Sequence, residues 1–281
     1  MKQKILLFLL VLLPMAGNAD EVVEIDGIYY NLETDYQTAR VVSNPNKYTG
    51  DLVIPQNVDY DKKTYSVIGI ENEAFLNCSG LISVTIPRYD FIGARAFKGC
   101  SSLTTLNISN GVTTIGEEAF KGCSSLTSVD IPTSLTILEA STFEDCTSLQ
   151  SIVIPDNVTY MDKYVFKGCS DLTSASISSG LTSIAGGTFE NCSSLSSVVI
   201  PKGIVYISGL SFSGCTSLTT IDIPNTVTSI NAAFSGCTGL ANVIIPNSVT
   251  NISGAFYGCS ALTSVEIPNS VTDIGQSTFY G

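Results

Sequence analysis

The sequence predicts a repeat solenoid, mainly β with short helical turns, closed at its N-terminal end by a β cap. Three observations carry this. Phe-x-x-Cys recurs from Phe75/Cys78 through Phe97/Cys100 and Phe120/Cys123 to Phe256/Cys259, with Phe279 opening a further copy, and successive cysteines lie 22 or 23 residues apart. A leucine follows each cysteine by three residues, from Leu81 to Leu262. Apolar pairs such as Val129/Ile131, Ile152/Ile154 and Ile221/Ile223 come three and five residues after that leucine, usually closed by proline. A fixed period in the twenties marks units that cannot bury their apolar side alone and must stack on their neighbours. Equivalent residues then form ladders, Phe on Phe, Cys on Cys and Leu on Leu.

Residues 1–19 begin with Lys2 and Lys4, run through an apolar core from Ile5 to Leu13 and end Gly17-Asn18-Ala19. That pattern predicts a secretory signal peptide, too short and wrongly flanked to span a membrane. Residues 20–66 lack the repeat. Asp26-Gly27 is a hairpin dipeptide between apolar runs, and Leu52-Val53-Ile54-Pro55 with Val58 reads as a degenerate first repeat, its tip Tyr60-Asp61-Lys62-Lys63 inserted. An open solenoid end exposes apolar ladders and strand edges, so this segment is expected to cap it.

Residues 67–281 form the array. Within one unit, Leu126-Thr-Ser-Val129-Asp-Ile131 ends in alternation and predicts a short strand with Thr127, Ser128 and Asp130 facing out. Pro132 cannot donate to a ladder and turns the chain. Leu135/Leu138, like Val158/Met161 and Val227/Ile230, predict a second, shorter strand. Gly116-Glu-Glu-Ala-Phe120-Lys-Gly122 is expected as one helical turn, acidic at its start and ended by glycine. Two sheets and a row of helical turns make a three-sided prism. The sequence stops at Phe279-Tyr280-Gly281, where the next cysteine would follow, so the array is expected to be cut within its last repeat.

The pattern Ile-Pro-x-x-Val-x-x-Ile-x-x-x-x-Phe-x-x-Cys-x-x-Leu-x-x-Val-x-Ile covers roughly three-quarters of the chain. It resembles the leucine-rich repeat superfamily in its BspA-like type. The resemblance implies a right-handed leucine-rich-repeat superhelix. It also implies the surface proteins of anaerobic bacteria and some protists, and adhesion to host matrix proteins or to other cells.

The chain holds 13 basic and 25 acidic residues and no histidine. With Lys2 and Lys4 removed, 11 basic residues face 25 acidic ones, a net of −14. Nucleic acid and anionic membrane surfaces are disfavoured as partners. After Lys202 there is no Lys or Arg, and Asp222, Glu266 and Asp273 are the acidic residues, so the last coils are coated in Ser, Thr and Asn. Nine cysteines in an exported chain would suggest disulfides. Coils about 4.8 Å apart with parallel side chains hold Cβ atoms farther apart than the roughly 3.5–4.5 Å a disulfide needs. The cysteines are therefore expected as small buried thiols. Without histidine the usual base of serine and cysteine hydrolases is missing, and no Cys-x-x-Cys pair offers zinc a site. The paired acids Glu117-Glu118, Glu144-Asp145 and Glu71/Glu73 fall in the helical-turn segment, where carboxylates suit a helix start. No enzymatic activity, metal or cofactor is predicted.

Stacking turns each outward position into a stripe. Between the second and third apolar positions of the first strand the stripe reads Thr85, Asn107, Asp130, Val153, Ser176, Val199, Asp222, Ile244, Glu266. Val153, Val199 and Ile244 are apolar residues among polar ones, a pattern that can anchor a partner and that also suits a strand through β-branching alone. On the second strand, Tyr160 and Tyr206 lie two coils apart, about 10 Å. The candidate partner-binding residues are thus Asp130, Val153, Ser176, Val199, Asp222, Ile244, Glu266, Tyr160 and Tyr206. The expected function is that of an exported cell-surface repeat protein binding an extracellular protein or glycan of a host or neighbouring cell, with no membrane insertion once the signal is cleaved. A structural spacer presenting a further C-terminal domain and a glycan-active enzyme stand as alternatives.

Overall fold

The computed structural model describes residues 21–281; the expected signal peptide, residues 1–19, lies outside them. The strands are β1 (Glu21–Ile25), β2 (Ile28–Glu33), β3 (Thr38–Val41), β4 (Thr49–Val53), β5 (Asn57–Tyr60), β6 (Lys63–Ile70), β7 (Gly80–Ile86), β8 (Phe91–Ile92), β9 (Thr105–Ile108) and β10 (Thr114–Ile115). They continue as β11 (Ile137–Leu138), β12 (Ser151–Val153), β13 (Tyr160–Met161), β14 (Ser174–Ser176), β15 (Ser183–Ile184), β16 (Ser197–Val199), β17 (Tyr206–Ile207), β18 (Thr220–Ile221) and β19 (Asn242–Val243).

Each coil lays one strand on a first face and one on a second. The first face holds the parallel sets β4-β7-β9, β12-β14-β16 and β18-β19. On the second face β6-β8-β10, β11-β13 and β15-β17 run parallel, continued by single bridges through Tyr206, Ser229, Asn251 and Asp273. Every pairing joins equivalent residues of successive repeats, Ile152 to Ala175 to Val198 for example. Period-2 alternation explains the orientation, since Ile152 is buried while Ser151 and Val153 beside it are exposed. The proline between the two strands accepts a turn bond, as in Val158 N to Pro155 O at 2.9 Å, and its missing N–H is not needed there.

At the N-terminus β1-β2 and β2-β3 are antiparallel, and β3 then pairs in parallel with β6. Asp26 and Gly27 both have positive φ (51° and 84°), as a two-residue type I′ hairpin demands. The inserted tip forms the same turn at Asp61-Lys62, between β5 and β6. In the segment expected as a degenerate first repeat, Leu52 pairs against Val84 and Val53 against Thr85.

The third side departs from expectation: no α-helix occurs among the described residues. In the segment read as a helical turn, Glu118 and Gly122 have φ of 56° and 74°, outside the right-handed helical region. Its N–H groups alternate between two destinations. Ala119, Lys121 and Cys123 donate to Gly116, Glu118 and Phe120 within the coil, whereas Glu118, Phe120 and Gly122 donate to Ala140, Thr142 and Glu144 of the next coil at 2.8–3.0 Å. These are consecutive β-turns stacked into a ladder of their own. A helix would satisfy its N–H groups internally and leave nothing to tie one coil to the next. One backbone rule holds in every coil: from Glu73 through Arg95, Glu118 and Ser141 to Ser277, the residue at the second position before Phe has φ of 51–65°.

The carboxylates of this side are likewise not helix-start residues. Glu118 pairs with Lys98 (2.7 Å) and Lys121 (3.3 Å), Glu144 with Lys121 (2.8 Å), Glu73 with Arg95 (2.7 Å) and Glu190 with Lys167 (3.3 Å). All but the Glu118–Lys121 pair join successive coils.

The core is the set of ladders. Phe75 to Phe279 stack with ring centroids 4.5–5.9 Å apart and planes within 14°. Offset stacking of this kind adds to plain burial. Tyr48 heads the column, 4.6 Å from Phe75. All nine cysteines are free and buried.

Candidate partner-binding faces

The thiols belong to the scaffold. Cys100 Sγ donates to the Phe75 carbonyl at 3.1 Å, and the same bond recurs from Cys123 to Phe97, Cys146 to Phe120 and on to Cys259 and Phe234, at 3.0–3.3 Å. From Phe75 to Phe234 each phenylalanine carbonyl thus accepts its own coil's cysteine N–H and the next coil's thiol. Burial pushes the thiols up, Cys100 and Cys215 to about 12 and Cys259 to about 11, so they stay protonated donors and not nucleophiles. Among the described residues no three His, Cys, Asp or Glu side chains are grouped to hold a metal ion.

The candidate residues divide between the two faces. Val153, Ser176 and Val199 form one row across β12, β14 and β16. Val153 and Val199 are 67% and 61% exposed, and Ser176 between them is half-buried. Val53, which sequence reading did not name as a site residue, heads the same line at 70% exposure, in register with Thr85 and, through it, Asn107. Its signal was present in Leu52-Val53-Ile54-Pro55, which aligns on the repeat once the inserted tip is set aside. Ile244 is 81% exposed, and Asp130, Asp222 and Glu266 are exposed as well.

The stripe is not one continuous sheet. No backbone bond joins Ser128–Ile131 to a neighbouring coil, and the strand ladder also lapses between β16 and β18 and beyond β19. Where the ladder lapses, shallow grooves open. One, of about 250 Å³, has Asp130 and Val153 in its lining; another, of about 530 Å³, has Ile244 and Glu266. The structure therefore brings Asp130 to Val153 and Ile244 to Glu266, and joins Val153, Ser176 and Val199. Asp222 follows β18, beside the position of Ile244.

Tyr160 and Tyr206 lie on the second face, exposed but in separate strand sets. They share no site with the stripe. Tyr160 is in register with exposed Ile137, a neighbour not singled out from the sequence.

A stack of strand-strand-turn coils with repeating apolar ladders inside and variable outward stripes defines a solenoid repeat protein. Residues 68–195 and 160–281 match the BspA type leucine rich repeat region, in six copies, and the chain belongs to that family. No curated protein matches the chain. Among solved structures it is similar to a leucine rich repeat protein of T. pallidum, with 27% identity and a TM-score of 0.63, over 70% of this chain and 91% of that one. A leucine rich cell surface protein of Faecalibacterium prausnitzii shares 24% identity over 88% of this chain and 94% of its own, with a TM-score of 0.41. The pneumococcal vaccine antigen PcpA shares 15% identity over 94% and 90%, with a TM-score of 0.43.

Proposed function

We propose that this protein is an exported, surface-associated binding protein that captures an extracellular protein or glycan of a host or neighbouring cell through its first face. One observation carries the reading: Val53, Val153, Val199 and Ile244 are held 61–81% exposed on the same outward line. Apolar side chains on successive stacked coils, spaced by hydroxyl and carboxylate residues, are the ingredients of anchor points within a polar rim. β-branched anchors of this kind favour a protein partner over a glycan. Family membership supports surface placement, because the BspA-like resemblance implies surface proteins. In the same reading residues 20–66 cap the array, with the β1-β2-β3 meander extending the second-face sheet and burying Val23, Tyr30 and Leu32. The protein is not an enzyme in this reading, and neither nucleic acid nor a membrane is its partner.

The test is capture of immobilised matrix protein and mucin by the protein and by the double variant Val153→Asp/Val199→Asp. Two charges placed at the exposed anchors should weaken capture at least tenfold, the equivalent of about 1.4 kcal/mol, with unchanged circular dichroism. Equal capture by the double variant would remove the first face as the binding surface.

A further inference from the structure

Arg40, Gly69 and Phe91 stand side by side on β3, β6 and β8, on the outward positions of the second face. Elsewhere in this row the outward residue has a side chain: Thr114, Ile137, Tyr160, Ser183 and Tyr206. At Gly69 it is missing, and the Phe91 ring takes its place. Three consecutive ring atoms lie 2.5–2.7 Å from where a Cβ on Gly69 would sit, so no other residue leaves room for the ring. The ring lies over the buried glycine and keeps part of its surface open to solvent. Around it, Arg40, Glu71 and Asn72 complete a shallow, open depression of about 370 Å³.

The polar groups of this depression are partly engaged, and what remains is mixed in sign. Arg40 pairs with Glu33 at 3.4 Å. Glu71 Oε1 accepts Asn31 Nδ2 at 3.5 Å, leaving Oε2 to accept. Asn72 Oδ1 accepts the Ala94 N–H at 2.8 Å, leaving its Nδ2 to donate. The local balance is one guanidinium against two carboxylates, which disfavours an anion. A bare cation would satisfy Glu71 but none of the donors.

We propose that this depression is a binding site for a neutral pyranose ring of a glycan. The negative face of Phe91 accepts the C–H face of the sugar, and vicinal hydroxyls take the remaining donors of Arg40 and Asn72 and the remaining acceptor of Glu71. An aromatic floor with a few convergent polar groups is the ordinary composition of a small-ligand site. The site lies on the second face, in a strand set separate from that of Val153, and is independent of the reading above.

The experiment is saturation-transfer NMR on the full protein with methyl glycosides of glucose, galactose and mannose, with Nα-acetyl-lysine methylamide as the cationic probe and inorganic phosphate as the anionic one. At least one glycoside should bind saturably in the millimolar range. Phe91→Leu should weaken it about tenfold, the scale of one aromatic contact. Gly69→Ser, which keeps Phe91 but evicts its ring, should do the same, and Glu71→Gln should weaken binding about threefold. Should Phe91→Leu fail to fold by circular dichroism, Glu71→Gln and Asn72→Ala decide in its place. Absence of saturable binding by all three glycosides would overturn the proposal, as would variants that bind like the parent, or binding by the lysine or phosphate probe alone. Because the assay reads free glycosides, its failure leaves macromolecular capture by the first face untouched, and the reverse holds too.

Discussion

At the scale of single residues, two features of each coil turn on hydrogen bonds that side-chain patterns do not display. The cysteine resembles a chemical residue and acts as a structural donor, spanning from its own coil to the phenylalanine carbonyl of the one before. Smallness and burial were legible from its period. The bond was not, because a thiol donor 26 residues away from its acceptor leaves no mark on spacing. Protonated in the fold and ionisable when released, the thiols make stability depend on alkaline pH. A group whose folded pKa is raised contributes fully below its unfolded value, here 9.0, and loses that contribution as pH rises toward its folded value, about 11 for Cys259 and about 12 for Cys100, with Cys146 also raised by burial. Thermal melts at pH 7 and 10.5 should show Tm falling at the higher pH, and Cys146→Ala should shrink that fall while lowering Tm at pH 7. The second feature is the left-handed residue two positions before each phenylalanine. Leu210 adopts φ of 62° and is 40% exposed. A bulky residue there carries roughly 1–2 kcal/mol of strain, so Leu210→Gly should be neutral or stabilising by up to about 1 kcal/mol in urea unfolding. A loss of more than that would show that the Leu210 side chain holds the turn.

At the scale of the element, the coil's two strands followed from alternation and proline, while its third side did not follow. Gly-Glu-Glu-Ala-Phe-Lys-Gly suits one helical turn and a pair of linked β-turns equally well. The deciding quantity is where the N–H groups go, and their partners sit in the next repeat, beyond any local window. The proposed binding stripe divides in the same way. Its composition was readable from the aligned repeats, but the lapses at Ser128–Ile131 and after β19, which shape the grooves beside Val153 and Ile244, are backbone facts. So is the Gly69 seat, since a single glycine in a strand gains meaning only when register sets Phe91 beside it. The ladder itself can be tested at its centre. Phe166 is fully buried between Phe143 and Phe189, at centroid distances of 5.6 and 5.7 Å. Phe166→Ala should destabilise by about 3–5 kcal/mol through the cavity and the two lost stacks, read from denaturant unfolding; a loss below about 1 kcal/mol would contradict a close-packed column.

At the scale of the molecule, charge divides the solenoid into unlike halves. On the turn side ion pairs tie neighbouring coils from Glu73 to Glu144 and again at Lys167–Glu190, whereas beyond Lys202 the sequence holds no basic residue and the equivalent turn positions are Ser213, Ser235, Tyr257 and Tyr280. Tyr257 and Tyr280 stack at 5.6 Å in place of an ion pair. Because stability in a stacked array is close to a sum over neighbouring interfaces, a condition that weakens one class of interface should act on one half. Acid is such a condition. The hydrogen bond from Lys98 holds the Glu118 carboxyl below its ordinary value of 4.5. A depressed carboxylate contributes above its unfolded pKa and loses that contribution as pH falls through the folded one. Hydrogen exchange followed by mass spectrometry at pH 7 and pH 3, corrected for intrinsic rates, should therefore show protection falling at residues 95–145 far more than at residues 212–260. Salt of about 1 M at pH 7, where the Debye length shrinks to roughly 3 Å, should reproduce the direction more weakly, since the pairs are only partly exposed. A uniform loss along the whole solenoid would mean that the halves unfold as one unit and that the ion-pair ladder does not govern local stability.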